Sequence, residues 1–442
     1  EAGILADKNK DSHLNEIKNL GIEPIDMVVV NLYPFKETIS REDVTLEEAI
    51  ENIDIGGPTM IRAAAKNYNS VAVIVSPDMY DEIIEHMKIN DGSVSEELCF
   101  DLAKKVFEFT SDYDNAISDY LSGREKSSGS KLSLHFEKIQ DLRYGENPHQ
   151  KAAYYSEVGA PDTSLVNGKQ LHGKELSFNN ILDMNAAWST VKEFEVPAVV
   201  IVKHTNPCGV GIGKDLIEAY DKAFASDSVS AFGGIVAINR PLDAILAKKL
   251  TGHFFEIIMA PAFPEEAIEI LMGKKNLRII HMGEKRAKNP FGEEYRRIDG
   301  GLLVQDWDIS EDLRKDMKVA TKRAPTDKEW EDLLFGWTVA RHVRSNAIIL
   351  TKNLATVGVG AGQMSRIDAF KIAAEKAGKK KKDSCLSSDA FFPFRDLVDA
   401  AAKEGITAII QPGGSMRDQD SIEACNENGI AMVFTGKRHF LH

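Results

Sequence analysis

At 442 residues the chain is too long for one core and is expected to divide into two or three domains. Its 43% hydrophobic and 28% charged content is that of a water-soluble globular protein, and a net charge of −14 excludes non-specific nucleic-acid binding, which needs a basic surface. Cys99, Cys208, Cys385 and Cys425 lie far apart with no CxxC pair, and no apolar run reaches the roughly eighteen residues of a bilayer span. Neither a disulfide framework, a Cys-rich zinc site nor a membrane protein is indicated, and a reducing cytoplasm fits.

The chain opens with Glu1-Ala2-Gly3-Ile4-Leu5-Ala6, which reads as the middle of a fold, so a preceding segment is expected. Met27 to Phe35 reads as a buried strand stopped by a polar, aromatic turn, because Pro34 removes a donor and restricts its neighbour. An acidic helix is expected over 45–51. Ile53-Asp54-Ile55-Gly56-Gly57-Pro58 then leads into a helix ending near Asn67, with Pro58 in its first turn. Paired glycines there let backbone N–H groups approach an anion, though a plain turn is the commoner reading. A strand over 70–75, a helix over 77–87 and a long amphipathic helix over 96–121 follow. The small, polar, charged stretch after it is the best linker, placed at 124–131 between domains 1–123 and 132–442.

In the larger domain Val199-Val200-Ile201-Val202 reads as a buried strand that ends in Lys203-His204-Thr205-Asn206-Pro207-Cys208-Gly209. An amine beside an imidazole at the carboxyl end of a strand offers two proton carriers, although a solvated loop is the plainer reading. The strand, the glycines at 209, 211 and 213, a helix through Ala225 and a Ser-Ala-Phe string at 230–232 then recur. The second copy comprises a strand over 347–350, glycines at 358, 360 and 362, a helix through Ala377 and Ser387 to Pro393. Duplicated strand, Gly-turn and helix units imply two related α/β lobes with a ligand cleft. The glycines at 358–362 are not a dinucleotide fingerprint, because Gln363-Met364-Ser365-Arg366 breaks the spacing.

With RYGENPHQ at 143–150, SNA at 345–347, FFPFRD at 391–396 and the closing RHFLH at 438–442, these strings closely resemble the bifunctional AICAR transformylase/IMP cyclohydrolase family of purine biosynthesis. The resemblance runs from the first residue to His442. It implies an N-terminal α/β domain like methylglyoxal synthase and, after it, duplicated cytidine-deaminase-like lobes. It implies transfer of the formyl group of 10-formyltetrahydrofolate to the 5-amino group of AICAR, followed by closure of FAICAR to IMP. By resemblance His204 accepts the amine proton, Lys203 supplies charge and a proton toward the folate nitrogen, and Asn346 holds the formyl oxygen or substrate amide. Arg143, Tyr144, Lys275 and Arg438 would position the nucleotide, with Gly233, Glu256, Phe391 and Asp396 contacting substrate or pterin. Tyr33, Asp54 and Lys66 would close the ring, and Asn31, Gly56 and Gly57 would line that nucleotide site; Lys66 could fold back toward Asp54.

The resemblance further implies a homodimer, with Arg143 and Lys203 drawn from different subunits, and a potassium ion near the second lobe. No zinc is expected, because Pro207-Cys208-Gly209 lacks the Pro-Cys-x-x-Cys of zinc deaminases. The family's first domain begins several tens of residues earlier, with phosphate-binding loops and a Lys-Thr-Leu-His string. On that reading the chain is a fragment with an incomplete cyclohydrolase site. The alternatives are a non-catalytic nucleotide or folate binder that keeps the fold, and a zinc nucleoside deaminase.

Overall fold

The structure, a computed structural model, describes residues 1–41, 43–122, 132–285 and 287–442. They form two compact units, Glu1–Leu134 and His135–His442; the linker expected at 124–131 lies outside the described residues.

In the first unit two short parallel strands, Met27–Val29 and Ala72–Ile74, pair with Met27 opposite Ala72. The expected strand through Phe35 stops early, and Phe35–Ile39 is helical instead, because Pro34 supplies no N–H to a ladder and sits at the helix N-cap. Leu46–Glu51 begins with a capping box between Thr45 and Glu48. The long helix Glu96–Leu121 starts where Ser95 Oγ accepts from Leu98 N. Its buried Cys99, Leu102, Ala103, Val106, Thr110 and Tyr113 recur at helical spacing. Val28, Val73, Ile61, Leu102 and Val106 share one core.

The second unit contains two six-stranded sheets of identical order. The first runs Lys169–His172, Arg278–His281, Phe255–Ala260, Gly234–Ile238, Ala198–Lys203, Asn206–Ile212; the second runs Lys318–Val319, Ala431–Phe434, Ala408–Gln411, Cys385–Ser388, Ile348–Thr351, Thr356–Gly360. In both, the three strands beside the first edge strand are parallel and every other pairing is antiparallel. Each central strand is buried on two faces. Val200 and Val202 meet the core shared by the lobes, and Val199 and Ile201 meet the helices on the other side. The shared core includes Met184 and Trp188 of helix Phe178–Val191 and Phe335 and Val339 of helix Asp327–Ala340.

Two readings of the repeat are corrected. The glycines at 209, 211, 358 and 360 are strand residues, not turns. A Cβ on them would lie 1.9 Å from Ala223 O, 2.5 Å from Ala219 O, 2.0 Å from Ala373 O and 1.9 Å from Ala369 O respectively, so bare backbone is what lets helices Leu216–Ser226 and Arg366–Ala377 lie on the strands. The Ser-Ala-Phe strings do not correspond either. Ser230-Ala231-Phe232 precedes the strand Gly234–Ile238, whereas Ser387 belongs to the equivalent strand Cys385–Ser388, which Phe391 follows.

The last residues return to the second lobe. His439 is 2% exposed, its Nδ1 lies 2.5 Å from Asp308 Oδ2 and its Nε2 2.9 Å from Asp312 Oδ2, and Asp312 Oδ2 also accepts from Trp337 Nε1 at 3.1 Å. Burial opposes a charge on the ring, but the two carboxylates prevail and hold His439 above its ordinary value.

Two outcomes are expected. Gly360→Ala forces a Cβ against a helix carbonyl and should destabilise this unit by about 1–3 kcal/mol, seen as a lower urea midpoint; an unchanged midpoint would refute the close-approach account. For His439, a raised folded pKa means its stabilisation is full below the unfolded value and is lost as pH rises through the folded one. The midpoint gap between the wild type and His439→Gln should therefore narrow as pH rises beyond the ordinary histidine value of about 6.5. A gap that widens over that range would contradict the paired imidazolium.

Candidate active site

The strand Ala198–Lys203 and its partner Asn206–Ile212 are joined by a two-residue turn, with Lys203 opposite Asn206. His204 and Thr205 both take left-handed backbone angles, φ 52° and 60°. A two-residue hairpin of this hand requires positive φ at both central residues, a role usually filled by Asn-Gly. Non-glycine residues, one of them β-branched, cost of order 1–3 kcal/mol each there, and such strain collects at functional sites. Here it holds the imidazole at the sheet's end, beside the Lys203 amine, whose Nζ donates to Phe232 O at 2.8 Å.

Lys203 and His204 border a cavity of about 650 Å³, together with Arg143, Tyr144, Lys174, Asp183, Gly233, Glu256 and Arg278. Helix Phe178–Val191 opens at this cavity, where Ser177 and Asn180 form a reciprocal cap. Asn180 Nδ2 also donates to Glu256 Oε2 at 2.9 Å, and Glu256 Oε2 lies 3.6 Å from Arg278 Nη1. Arg278 spends its other nitrogens on Glu175 O, at 3.0 and 2.9 Å. Burial, offset in part by Glu256, draws the Arg278 guanidinium below its usual range. The Arg143 guanidinium stacks on its neighbour Tyr144 at 4.7 Å and donates to the phenol at 2.9 Å. Asp183 Oδ1 accepts from Thr205 N at 2.6 Å; burial raises its carboxyl above the usual range while the turn amides pull it back. Cationic groups and a helix N-terminus thus line one cavity, an arrangement suited to an anion, with Lys203 and His204 at its border.

Arg143 and Lys203 both line this cavity. Lys203 and His204 also border a second cavity of about 470 Å³, reached from the other lobe by Val359, Ala361 and Gln363. Asn346 lies behind that wall, its Nδ2 donating to Gln363 O at 2.8 Å, and Asn206 Oδ1 accepts from Arg344 N at 3.0 Å. The remaining expected residues stand apart. Lys275 borders a separate cavity of about 350 Å³ with Phe254 and Phe255. Phe391 is 37% exposed, Asp396 opens helix Asp396–Lys403, and Arg438 stacks on Phe440 at 4.6 Å; none of them borders the large cavity. Sequence reasoning missed Asn180, Asp183 and Arg278. The Ser-x-x-Asn string at 177–180 is a legible helix start that places Asn180 and Asp183 on one face, but nothing local marks Arg278.

In the first unit Asp54 Oδ1 accepts from Gly57 N at 2.7 Å and Oδ2 from Tyr33 N at 3.3 Å, while Asp54 N donates to Tyr113 Oη at 2.8 Å. Gly56 and Gly57 begin helix Gly56–Lys66. A Cβ at Gly57 would meet Leu32 Cδ2 at 2.4 Å and Asp54 Oδ2 at 2.7 Å, which accounts for glycine there, while Gly56 faces open space. Asn31 pairs with Tyr80, and the Tyr33 ring is exposed. Lys66 does not fold back to Asp54. It ends the eleven-residue helix that Asp54 precedes, about 15 Å along the axis, beyond the reach of a lysine. Among the described residues no cluster of three or more His, Cys, Asp or Glu side chains is disposed to hold a metal ion.

The family described as "AICARFT/IMPCHase bienzyme" matches residues 64–376, and the "MGS-like domain" matches residues 3–59. The chain is 54% identical over 441 residues to the "Bifunctional purine biosynthesis protein PurH" of Bacillus cereus (strain AH820), spanning 100% of this chain and 86% of that protein. It is 54% identical over 444 residues to the protein of the same description from Acetivibrio thermocellus, with the same coverage. A solved structure described as ForH aligns with 27% of this chain and 62% of its own, at 32% identity and a TM-score of 0.25. A family match over more than half the residues, with relatives this similar along the whole chain, leaves one conclusion: the chain belongs to the AICARFT/IMPCHase bienzyme family.

Proposed function

We propose that the cavity at Lys203 and His204 is where a formyl group passes from 10-formyltetrahydrofolate to the 5-amino group of AICAR, and that the first unit closes the product, FAICAR, to IMP. The two activities, AICAR formyltransferase and IMP cyclohydrolase, are those of the family in purine biosynthesis. The observation that carries the site assignment is the Lys203-His204 pair, held on a strained hairpin at a cavity rich in cationic groups.

The AICAR amine is a weak nucleophile, because its lone pair is delocalised into the imidazole ring and the neighbouring carboxamide. As it attacks the formyl carbon, His204 takes the amine proton. Lys203 stabilises the developing oxyanion and gives a proton to N10 of the departing tetrahydrofolate. Arg143 and Arg278, beside the helix N-terminus at Ser177, suit the nucleotide phosphate. Asn346, Phe391, Asp396 and Arg438 lie on the second lobe, and their proposed share is to hold the formyl oxygen, the substrate ring and the pterin as the lobes embrace the substrates. Lys275, beside Phe254, would assist from its separate cavity.

For ring closure, the carboxamide nitrogen attacks the formyl carbon and water leaves. Asp54, with Tyr33, is the proposed proton carrier, and Asn31, Gly56 and Gly57 line the nucleotide. A role for Lys66 would require it to act at the far end of its helix. A homodimer, a cytoplasmic location and a potassium ion near the second lobe complete the proposal.

Separate assays of the two steps test it. Lys203→Ala and His204→Ala should each lower formyl transfer by about 10²-fold or more while FAICAR closure continues. Asp54→Asn should do the reverse. Full tetrahydrofolate release by both Lys203→Ala and His204→Ala would refute the assignment, and tight AICAR binding without transfer by the wild type would mark a non-catalytic binder.

A further inference from the structure

The His204-Thr205 turn has no glycine to relieve its two left-handed residues, so something else must hold it. One side is fastened within the hairpin and to the second lobe: Asn206 Nδ2 donates to His204 O at 3.1 Å, and Asn206 Oδ1 accepts from Arg344 N at 3.0 Å. On the other side stands a single carboxylate. Asp183 Oδ1 accepts from Thr205 N at 2.6 Å, and the neighbouring His204 amide helps to draw its carboxyl back toward the charged form. A negative oxygen accepting N–H bonds makes the shorter, stronger kind of hydrogen bond.

Asp183 lies on helix Phe178–Val191 one turn beyond Asn180, which caps that helix and holds Glu256. One helix face therefore reaches both the turn and the carboxylate beside Arg278. Asp183 forms no ion pair among the described residues and is drawn partly out of water next to Glu256. Keeping a carboxylate there is unfavourable unless its hydrogen bonds compensate.

We propose that Asp183 is a positioning residue for formyl transfer: its carboxylate holds the backbone of His204 and Thr205 in the left-handed turn, and so fixes where the imidazole meets the substrate amine. The inference rests on the assignment of Lys203 and His204 to that reaction. It differs from a general packing role in one respect. The requirement comes from backbone strain at Thr205, so it should weaken when a glycine, which adopts positive φ without strain, replaces Thr205.

The test uses the whole chain and measures tetrahydrofolate release from 10-formyltetrahydrofolate and AICAR, with the urea unfolding of the same preparation as a check on folding. Asp183→Ala should lower kcat for transfer about tenfold or more and leave KM for AICAR within about threefold. Asp183→Asn, whose amide oxygen still accepts the Thr205 N–H, should stay within a few-fold of wild type. The double variant Asp183→Ala/Thr205→Gly should recover a substantial part of the lost kcat. Wild-type turnover by Asp183→Ala, or a double variant no faster than Asp183→Ala, would overturn the inference. If Asp183→Ala fails to fold, Asp183→Asn decides: near-normal kcat supports the role, and a collapse in kcat overturns it. Lys203→Ala and His204→Ala run alongside, and full turnover there removes the site assignment itself. Their inactivity beside a normal Asp183→Ala removes only the role of Asp183.

Discussion

The larger unit depends on how closely a helix can lie on an edge strand. At Gly209, Gly211, Gly358 and Gly360 the helix carbonyls occupy the space a side chain would need, so in each lobe the outermost strand and its helix meet backbone to backbone. That contact seats the strand Asn206–Ile212 flush, leaving its outer edge free to join the other lobe. Ile212 N donates to Leu354 O at 3.1 Å, Val210 N to Thr356 Oγ1 at 2.9 Å, and Gly211 bridges Ala355. Two strand edges that would otherwise stand open thus cover one another. The same strand carries the hairpin turn at its start, so the place of Lys203 and His204 follows from glycines several residues away.

Electrostatics then decides what such a cavity can hold. The chain as a whole is strongly acidic, so an anionic substrate meets a repulsive surface unless positive charge is concentrated locally. Arg143, Lys174, Lys203 and Arg278 supply that concentration, and Glu175, Asp183 and Glu256 stand among them. The carboxylates do not simply cancel the cations. Glu256 links Asn180 to Arg278, and Asp183 is committed to backbone amides, so the acids fix geometry while Arg143 and Lys203 keep their charge toward the cavity.

How much of this could be read in the sequence follows from the range over which each signal acts. Signals confined to a few residues were legible: the run Val199–Val202, the acidic helix expected over 45–51, and the period of Glu96–Leu121 all describe local backbone. The Gly-x-Gly strings were misread because a glycine that admits a helix backbone looks the same in sequence as one that turns the chain. The Ser-Ala-Phe strings suggested the right duplication in the wrong register, since they fall on opposite ends of equivalent strands. Lys203, His204, Arg143, Tyr144, Gly233 and Glu256 were anticipated through family resemblance, whereas Asp183 and Arg278 are set by contacts between distant elements.

On the proposed assignment, the two sites differ in a way their chemistry explains. Ring closure joins two groups of one molecule, so most of what a protein can contribute is orientation and a single proton carrier. Asp54, steadied by two backbone N–H groups at a helix start, is placed to be that carrier. Formyl transfer brings together two large substrates and a poor nucleophile, and charge develops on oxygen while protons move in both directions. That demands a walled space in which preformed charges act with little competition from water. The first lobe walls the larger cavity and the second lobe reaches the smaller one beside it, with the reacting pair bordering both at a turn that the first lobe strains and the second lobe fastens.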